Sequence, residues 1–572
     1  MTHARRSWLT PALPFLVAAT AAAAPPASAP QPTADTLYVG GPIVTVDRKR
    51  PTAEAVAVKG GKIIAVGSRS ALEKAHRGES TRVIDLQGRT LVPGFVDGHA
   101  HFMGFGSQAV GANLLAPPDG EVNGIDDLVL KLQEFARGPD VGRTGWIFGM
   151  GYDDALLGRH PTRDDLDKVS TDVPVIAVHI SGHFSVVNSA GLKKAGITAA
   201  TKDPEGGIIR RREGGTEPNG VLEELASFPV MVPAITARTP EDKDYFLRRA
   251  LELAKSFGDT TINEGRAFAS QHQDLVDAAR RRLLDIDVMS YVDYSDRKII
   301  TPEWYGRSYR NHYRIAGEKI TLDGSPQGRT AWRTVAYLVP PDGQKPGYKG
   351  YPAIPDDGVL AGLVDEAYRK GWPVHVHANG DAAIDQLLRA VGPALRKYGP
   401  ADRRTTLIHG QFIRQDQLDG LKKYRIIPSL FPMHTFYWGD WYEKIVGPEQ
   451  AQQISPMRSA INRGMTPTSH TDAPVALPNL IQVMWATVNR TSRSGKVMGP
   501  GERLTPAEAL EAITLWGAYE HFEDRTKGSI APGKLADLVI LSDNPLTIDP
   551  TKINTIQVLE TIKEGKTVYT RK

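Results

Sequence analysis

The chain has 572 residues, of which 41% are hydrophobic and 23% charged, and its formal net charge at pH 7 is +4. This length exceeds that of one small domain, and the composition is that of a folded globular protein. The small net charge gives no reason to expect nucleic acid as a partner, and the absence of cysteine excludes disulfides and thiolate metal sites. Any metal must therefore be held by histidine, carboxylate or modified lysine side chains.

Residues 1–29 have the pattern of an export signal. The basic pair Arg5-Arg6 precedes an apolar stretch at 13–24, and small residues follow at 27–29. No segment reaches the roughly 18 apolar residues of a membrane span, so we expect no stable membrane insertion. The arginine pair also resembles a twin-arginine signal, and a disordered tail is the alternative. The sequence thus predicts an exported protein, periplasmic or secreted.

Short strand-forming runs occur at both ends of the mature chain. Five such runs lie in residues 36–90, where glycines separate them, and further runs lie in 526–572. The C-terminal runs have no helical partner of their own. We therefore predict that the two groups combine in one small β-sandwich domain, which the chain leaves and later re-enters.

The middle of the chain, residues 91–525, alternates short β-forming runs with helical patterns. Such alternation is typical of parallel βα units, and eight steps favour an α/β fold with a TIM-type (β/α)8 barrel over an open sheet. The first step is unusually long, which predicts an insertion at about 102–250 over the barrel mouth. The predicted barrel strands are 91–97, 260–264, 286–292, 319–323, 374–377, 406–409, 426–430 and 466–472.

Metal-binding residue types recur at the C-terminal ends of these strands, where such barrels place their active sites. The first strand ends in PGFVDGHAH at 93–101, and in a strand its two histidines would point to the same side. One such pair can arise by chance, and a single histidine at a strand end is often structural, but the recurrence indicates a metal site. The candidates are His99, His101, Lys319, His375, His377, His409, His470 and Asp472.

These motifs resemble those of the metal-dependent amidohydrolase superfamily, and more narrowly its amidohydrolase-3 branch, which includes N-substituted formamide deformylases. The resemblance extends over essentially the whole mature chain. The matching stretches are VPGFVDGHAH at 92–101, KITLDGSPQGR at 319–329, HANGDAA at 377–383, HGQ at 409–411, TDAP at 471–474 and GKLADLV at 533–539.

The resemblance implies a set of metal ligands and a cofactor of one or two divalent ions, with zinc expected. Lys319 matches the position whose lysine, once carboxylated on N6, bridges two metals, and an ordinary salt-bridging lysine is the alternative. The other matching ligand positions are His99, His101, His377, His409 and Asp472.

Two further histidines are candidates for substrate contact. His183 lies in a stretch with a following asparagine that is common in this branch, and His434 follows the seventh predicted strand. A structural role is the alternative for both, and packing beside the site is favoured for His375. Aromatic residues such as Trp438 and Trp441 could line an apolar pocket or pack the loops.

Together these features predict a metal-dependent hydrolase of carbon–nitrogen bonds other than peptide bonds, with a small amide or an N-formyl or N-acyl amine as substrate. A zinc ion lowers the pKa of its bound water toward ~7, and the resemblance makes Asp472 the general base for this metal-activated hydroxide. An ester, lactone or cyclic amide is the alternative substrate. A barrel that binds a small molecule without converting it is a second alternative, and a homo-oligomer is left open.

Overall fold

The computed structural model of the protein describes residues 1–2, 31–341 and 344–572. The predicted export signal at 1–29 lies almost entirely outside these residues. Within the described ranges, no helix has both the length and the apolar composition that crossing a membrane requires.

One sheet has eight parallel strands, β1 to β8, and each strand pairs with the next along the chain. Backbone hydrogen bonds connect its two ends, because Gly98 N–H donates to Ser469 O at 3.3 Å and Asp472 N–H donates to His99 O at 3.0 Å. This curled parallel sheet fits the predicted TIM-type barrel. The strands are β1 Phe95–Val96, β2 Asp259–Ala267, β3 Asp287–Asp293, β4 Tyr313–Thr321, β5 Val374–Ala378, β6 Thr406–His409, β7 Ile427–Leu430 and β8 Thr468–Ser469.

The chain changes sheets at Gly94. Thr90–Pro93 pairs with Leu538–Leu541 of the C-terminal region, whereas β1 pairs with β2 of the barrel. A Cβ atom at Gly94 would lie 2.3 Å from Thr260 Oγ1, so only glycine allows the two sheets to approach this closely. The predicted continuous strand 91–97 is thus corrected to two strands in different sheets, and the pairing changes at Gly94 rather than at residue 91.

Amphipathic helices cover the barrel strands. Asp381–Tyr398 follows β5 and buries a face that includes Ile384, Leu387 and Val391, which join the large apolar core around the strands. The helices from the end of the insertion onward are Pro240–Ser256, Ala269–Arg280, Tyr294–Ile299 (3-10), Asp357–Lys370, Asp381–Tyr398, Gln415–Tyr424, Met433–Val446, Pro448–Ala451, Met457–Asn462, Leu480–Asn489, Pro500–Glu502 (3-10), Pro506–Ala512 and Leu515–Glu520.

Strands from both chain ends form a second sheet. Leu538–Leu541 lies between Val558–Lys563 and Thr90–Pro93, and so joins the two groups. The two layers of the predicted sandwich stay a prediction. The strands are Thr36–Val44, Thr52–Lys59, Lys62–Gly67, Arg82–Asp85, Thr90–Pro93, Leu538–Leu541, Val558–Lys563 and Lys566–Thr570, and the helices beside them are Arg69–His76 and Pro550–Thr555 (3-10).

The segment between β1 and β2 forms a third sheet, of six strands. Its first helix, Phe102–Val110, begins directly after His101 and packs against Pro240–Ser256, which leads back to the barrel. The insertion therefore starts and ends beside the metal-ligand motif. Its strands are Ala112–Asn113, Ile147–Tyr152, Val175–His179, Phe184–Val187, Gly207–Arg211 and Pro218–Glu224, and its other helices are Ile125–Ala136, Val141–Thr144, Asp154–Leu157, Arg163–Asp167, Ser189–Ala195 and Phe228–Ile235.

Candidate metal centre

The six predicted metal ligands lie together at the C-terminal edge of the barrel sheet. Because the strands are parallel neighbours, their carboxyl ends meet at this edge, and side chains far apart in sequence become close in space. The residues are His99 and His101 after β1, Lys319 in β4, His377 in β5, His409 at the end of β6 and Asp472 after β8.

Asp472 lies near three histidines of this group. Its Oδ1 lies 3.5 Å from His101 Nε2 and 3.8 Å from His99 Nε2, and its Oδ2 lies 3.9 Å from His409 Nδ1. Lys319 Nζ lies 3.0 Å from His99 Nε2. One donor atom each of His99, His409 and Asp472 lies within 4.8 Å of the others. Zinc binds nitrogen and oxygen at about 2.0–2.2 Å, so donor atoms this close can share one ion.

His377 lies on the same side, with its ring centroid 4.7 Å from that of His409. Its Nε2 lies 3.1 Å from the carbonyl oxygen of Gly324 and 3.3 Å from Nδ2 of Asn379. His375, by contrast, is fully buried and stacks on Tyr291 with the ring centroids 3.4 Å apart.

Asp97 holds the ends of β1 and β8 together. Its Oδ1 accepts the N–H groups of His99 and Thr471, each at 3.1 Å, and its Oδ2 accepts the Thr471 hydroxyl at 2.5 Å. Asn263 of β2 accepts the Ala100 N–H at 2.8 Å and donates to the Asp97 carbonyl at 3.0 Å. β1 ends before both histidines, so the two-residue period of a strand does not decide where their side chains point. These hydrogen bonds decide it instead. Sequence reasoning gave neither residue a role, although each is a polar residue in an otherwise buried run.

Glu264 of β2 orients His101. Its Oε1 lies 3.6 Å from His101 Nδ1, and its Oε2 accepts the Met103 N–H at 2.8 Å. Burial opposes the charged form of His101, but the carboxylates of Asp472 and Glu264 raise its pKa to about 9. A proton therefore competes with a cation at this histidine. The strand residues before Glu264 are polar apart from Ile262, so nothing in the sequence indicated this role.

Burial keeps the deepest ligands in the state that a metal requires. It lowers the pKa of His99 and of His409 well below the usual value, with help from the positive charge of Lys319. Burial also lowers the pKa of Lys319 to about 7. It disfavours the Asp472 carboxylate, but the hydrogen bond with His101 holds the pKa of Asp472 below its usual value. Neutral imidazoles beside an ionised carboxylate are a donor set that fits a divalent ion.

The two predicted substrate contacts lie near this edge. His183 Nδ1 lies 2.8 Å from Glu224 Oε2, and although burial opposes the charged form, Glu224 raises the pKa of His183, with a smaller contribution from Asp472. His434 is buried beside Phe431, with 4.8 Å between the ring centroids, and burial lowers its pKa to about 3. Their contact with a substrate stays a prediction.

A cleft lies between the insertion and the barrel loops, and its lining includes Trp438 and Trp441. Ring contacts connect it with the metal centre. Trp438 lies 5.7 Å from His434, His434 lies 4.8 Å from Phe431, and Phe431 stacks on His470 at 5.4 Å, all measured between centroids.

A parallel barrel with histidines, a lysine and an aspartate at its carboxyl edge defines a metal-dependent hydrolase. The sequence profile of the Amidohydrolase family matches residues 82–569, so the chain belongs to this family. It is accordingly a hydrolase that acts on carbon–nitrogen bonds. This match confirms the resemblance drawn from the motifs.

Individual proteins are similar to this chain over most of its length. Protein LONG AFTER FAR-RED 3 of Arabidopsis thaliana is 28% identical over 94% of this chain and 92% of its own length. An N-substituted formamide deformylase of Arthrobacter pascens is 27% identical over 94% of this chain and 98% of its own length. The crystal structure of an uncharacterized metal-dependent hydrolase from Pyrococcus horikoshii has a TM-score of 0.71 and 23% identity, and covers 90% of this chain and 99% of that one. The last similarity supports the fold.

Proposed function

We propose that the protein hydrolyses the carbon–nitrogen bond of a small N-formyl or N-acyl amine. The observation that carries this proposal is the convergence of His99, His409 and Asp472 within the span of one ion. The similarity to the N-substituted formamide deformylase of Arthrobacter pascens supports an N-formyl substrate.

The chain offers enough ligands for one or two divalent ions, and zinc is the expected metal. A bound ion of this kind polarises a substrate carbonyl and makes a water molecule easier to deprotonate. The residues that would hold it are His99, His101, His377, His409 and Asp472.

Lys319 is proposed to be carboxylated on N6. Its Nζ is buried and contacts His99, and among the described residues no carboxylate forms an ion pair with it. The alternative of an ordinary salt-bridging lysine therefore lacks its partner. Addition of carbon dioxide to the neutral amine forms a carbamate and releases a proton, which replaces a cation by an anionic oxygen ligand able to bridge two ions. Native mass spectrometry tests this step, and an unmodified lysine in the active protein would contradict it.

Asp472 is proposed as both general base and general acid. It takes a proton from the water that attacks the carbonyl carbon, and it passes this proton to the nitrogen as the carbon–nitrogen bond breaks, so that a carboxylic acid and an amine leave. His183 and His434 are proposed to contact the substrate. The cleft beside Trp438 and Trp441 would take the substituent on the nitrogen.

Metal analysis and a substrate panel test the proposal. We expect zinc in the purified protein and faster hydrolysis of N-formyl and N-acyl amines than of lactones. Asp472→Asn should lower kcat/KM by about 10²- to 10⁴-fold, whereas Asp419→Asn, an exposed change of the same type, should leave it unchanged. Hydrolysis of lactones or esters alone would overturn the amide assignment, and full activity after complete metal removal would overturn the metal centre.

Export to the periplasm or beyond is proposed from the sequence of residues 1–29. N-terminal sequencing of protein from the periplasmic and culture fractions tests this. We expect a chain that has lost the signal, and recovery of intact protein only from the cytoplasm would contradict export.

A further inference from the structure

A short hairpin at residues 491–497 lies between the barrel and the insertion. Its first and last residues pair in antiparallel fashion, and Ser492 N–H donates to Lys496 O at 2.7 Å. It follows the barrel helix Leu480–Asn489. We call it the cleft hairpin, because it contacts both the insertion and the barrel helix that lines the cleft with Trp438.

Buried hydrogen bonds hold the base of the cleft hairpin. Arg490 directly precedes the hairpin and is fully buried. Its Nε donates to Met498 O at 2.6 Å, and its Nη groups donate to Ser455 O at 3.1 Å and to Ile454 O at 2.7 Å. One guanidinium therefore connects the two ends of the hairpin with a neighbouring loop of the barrel.

The cleft hairpin is also bound to the helix Met433–Val446, which forms the barrel side of the cleft. Asp440 of this helix accepts the hydroxyl of Ser492 at 2.9 Å and that of Ser494 at 2.6 Å. The Arg493 N–H donates to the carbonyl oxygen of Phe436 at 3.1 Å. The hairpin and the barrel side of the cleft are thus joined by several hydrogen bonds.

Arg493 connects the cleft hairpin with the insertion. Its Nη1 lies 3.3 Å from Oδ2 of Asp153, which belongs to the insertion and lines the cleft. Its guanidinium lies over the ring of Tyr437, with 4.9 Å from Cζ to the ring centroid, which is the range of a cation–π contact. The Tyr437 hydroxyl donates to Asp119, a second carboxylate of the insertion. Two contacts between the barrel side and the insertion therefore meet at this arginine.

The Arg493–Asp153 ion pair has little support from other groups. Nε and Nη2 of Arg493 are buried and have no hydrogen-bond partner among the described residues. Asp153 is 4% exposed, and within the same part of the chain its carboxylate accepts one other hydrogen bond, from Ala155 N–H at 3.1 Å. A buried carboxylate that loses its cation is strongly destabilised unless it regains water. Removal of the arginine should therefore draw the chain at Asp153 outward.

We propose that Arg493 is a positioning residue that holds the insertion against the barrel and thereby sets the width of the cleft. The inference rests on the proposed function, in which the substituent on the substrate nitrogen lies beside Trp438 and Trp441. Arg493 is not one of the described residues that line the cleft, so it acts through Asp153 and the helix Met433–Val446. Selectivity for the size of the substituent then depends on a residue that does not touch it.

The decisive comparison is between Arg493→Met and Lys496→Met. Both changes replace a cation of the cleft hairpin by an apolar side chain. Lys496, however, pairs with Glu443 of the helix Met433–Val446, and in the described part of the chain it forms no ion pair with the insertion. Arg493→Met should raise KM for an N-benzyl formamide roughly tenfold with kcat unchanged. It should leave KM for N-methylformamide unchanged, because a methyl group is too short to reach the cleft, and Lys496→Met should change neither KM.

A double-mutant cycle gives a second readout. Asp153→Asn removes the charge that faces Arg493 and keeps an oxygen acceptor for Ala155 N–H, so it should raise KM for the N-benzyl formamide in the same way. The combination of Asp153→Asn with Arg493→Met should raise this KM no further than the larger single effect. If Arg493→Met does not fold, the comparison of Asp153→Asn with Lys496→Met provides the same test.

Three results would overturn the proposal. They are an unchanged KM for the N-benzyl formamide in Arg493→Met, an equal rise for both formamides, and the same selective rise in Lys496→Met. Additive effects in the double variant would also contradict it. A wild-type protein that hydrolyses neither formamide would instead refute the proposed function.

Discussion

Replacement of Asp97 by alanine should separate the ends of β1 and β8. The carboxylate accepts the N–H groups of His99 and Thr471, and all three residues are fully buried. Without it, two buried N–H donors lose their acceptor at about 1–3 kcal/mol each, so we expect the free energy of unfolding to fall by about 2–6 kcal/mol. The Thr471 hydroxyl can rotate toward another acceptor and is left out of this sum.

The matched variant Asp97→Asn tests whether the acceptor oxygen matters more than the charge. Burial raises the pKa of Asp97 to about 7, so a neutral side chain is tolerated there near neutral pH. Its carbonyl oxygen still accepts both N–H groups, and we expect a loss of only about 1 kcal/mol for the changed contact with the Thr471 hydroxyl. Urea unfolding of the metal-free protein, followed by tryptophan fluorescence, measures both variants.

Zinc affinity shows whether Asp97→Ala and Asp97→Asn also differ in metal binding. Because the two N–H groups belong to a metal ligand and to the neighbour of Asp472, Asp97→Ala should weaken zinc binding by at least about tenfold, and Asp97→Asn should not. If the alanine variant were as stable as the asparagine variant and bound zinc equally well, the role assigned to Asp97 would be wrong.

Three further predictions concern other parts of the molecule. Chelation of the metal should abolish activity and remove the stabilisation by bound ion, which is about 2.7–4.1 kcal/mol when zinc exceeds its Kd by 100- to 1,000-fold. Added zinc should restore the activity and the stability. An unchanged unfolding curve after chelation would contradict this. Burial disfavours the charged form of Asp287, but Lys527 at 2.6 Å and Lys563 at 2.5 Å hold its pKa well below the usual value. The contribution of Asp287 to the free energy of unfolding is therefore complete above about pH 4. It is lost as the pH falls toward the pKa of Asp287 in the folded protein. Asp287→Asn should therefore cost about 3–5 kcal/mol at pH 7 in urea unfolding without changing zinc affinity, and a cost that grew below pH 4 would contradict the sign. Trp441→Ala should raise KM for an N-benzyl formamide roughly tenfold with kcat unchanged. A fall in kcat alone would mean that the benzyl group does not bind beside Trp441.

Part of the candidate site could be predicted because His99, His377 and His409 end or interrupt largely apolar runs. The predicted strand 406–409 is also the observed β6, and its apolar residues end in His409. In a parallel barrel the carboxyl ends of the strands meet at one edge, so the order of motifs along the chain is enough to bring His99 and Asp472 together.

The buried contact between β8 and the helix Leu515–Glu520 could not be predicted in the same way. Thr468 lies in a two-residue strand, Glu520 lies on a helix after the last strand, and the Thr468 hydroxyl donates to Glu520. This contact depends on closure of the barrel and on the depth to which that helix enters, and neither is encoded in a local pattern. The change of sheet at Gly94 could not be predicted for a similar reason. Only the close approach of Thr260 from another strand explains why residue 94 is glycine.

Lys319 and His375 show why depth along a strand matters as much as the side to which a residue points. The two residues are paired in register on β4 and β5, and His377 lies two residues further toward the barrel mouth. Two residues of a strand correspond to about 6.6 Å, so His375 and Lys319 start one layer below His377. The flexible four-carbon stem of lysine spans this layer, and its Nζ contacts His99 at 3.0 Å. The shorter side chain of aspartate or glutamate would end beside His375 instead, which gives a physical reason for the proposed carboxylated lysine at residue 319.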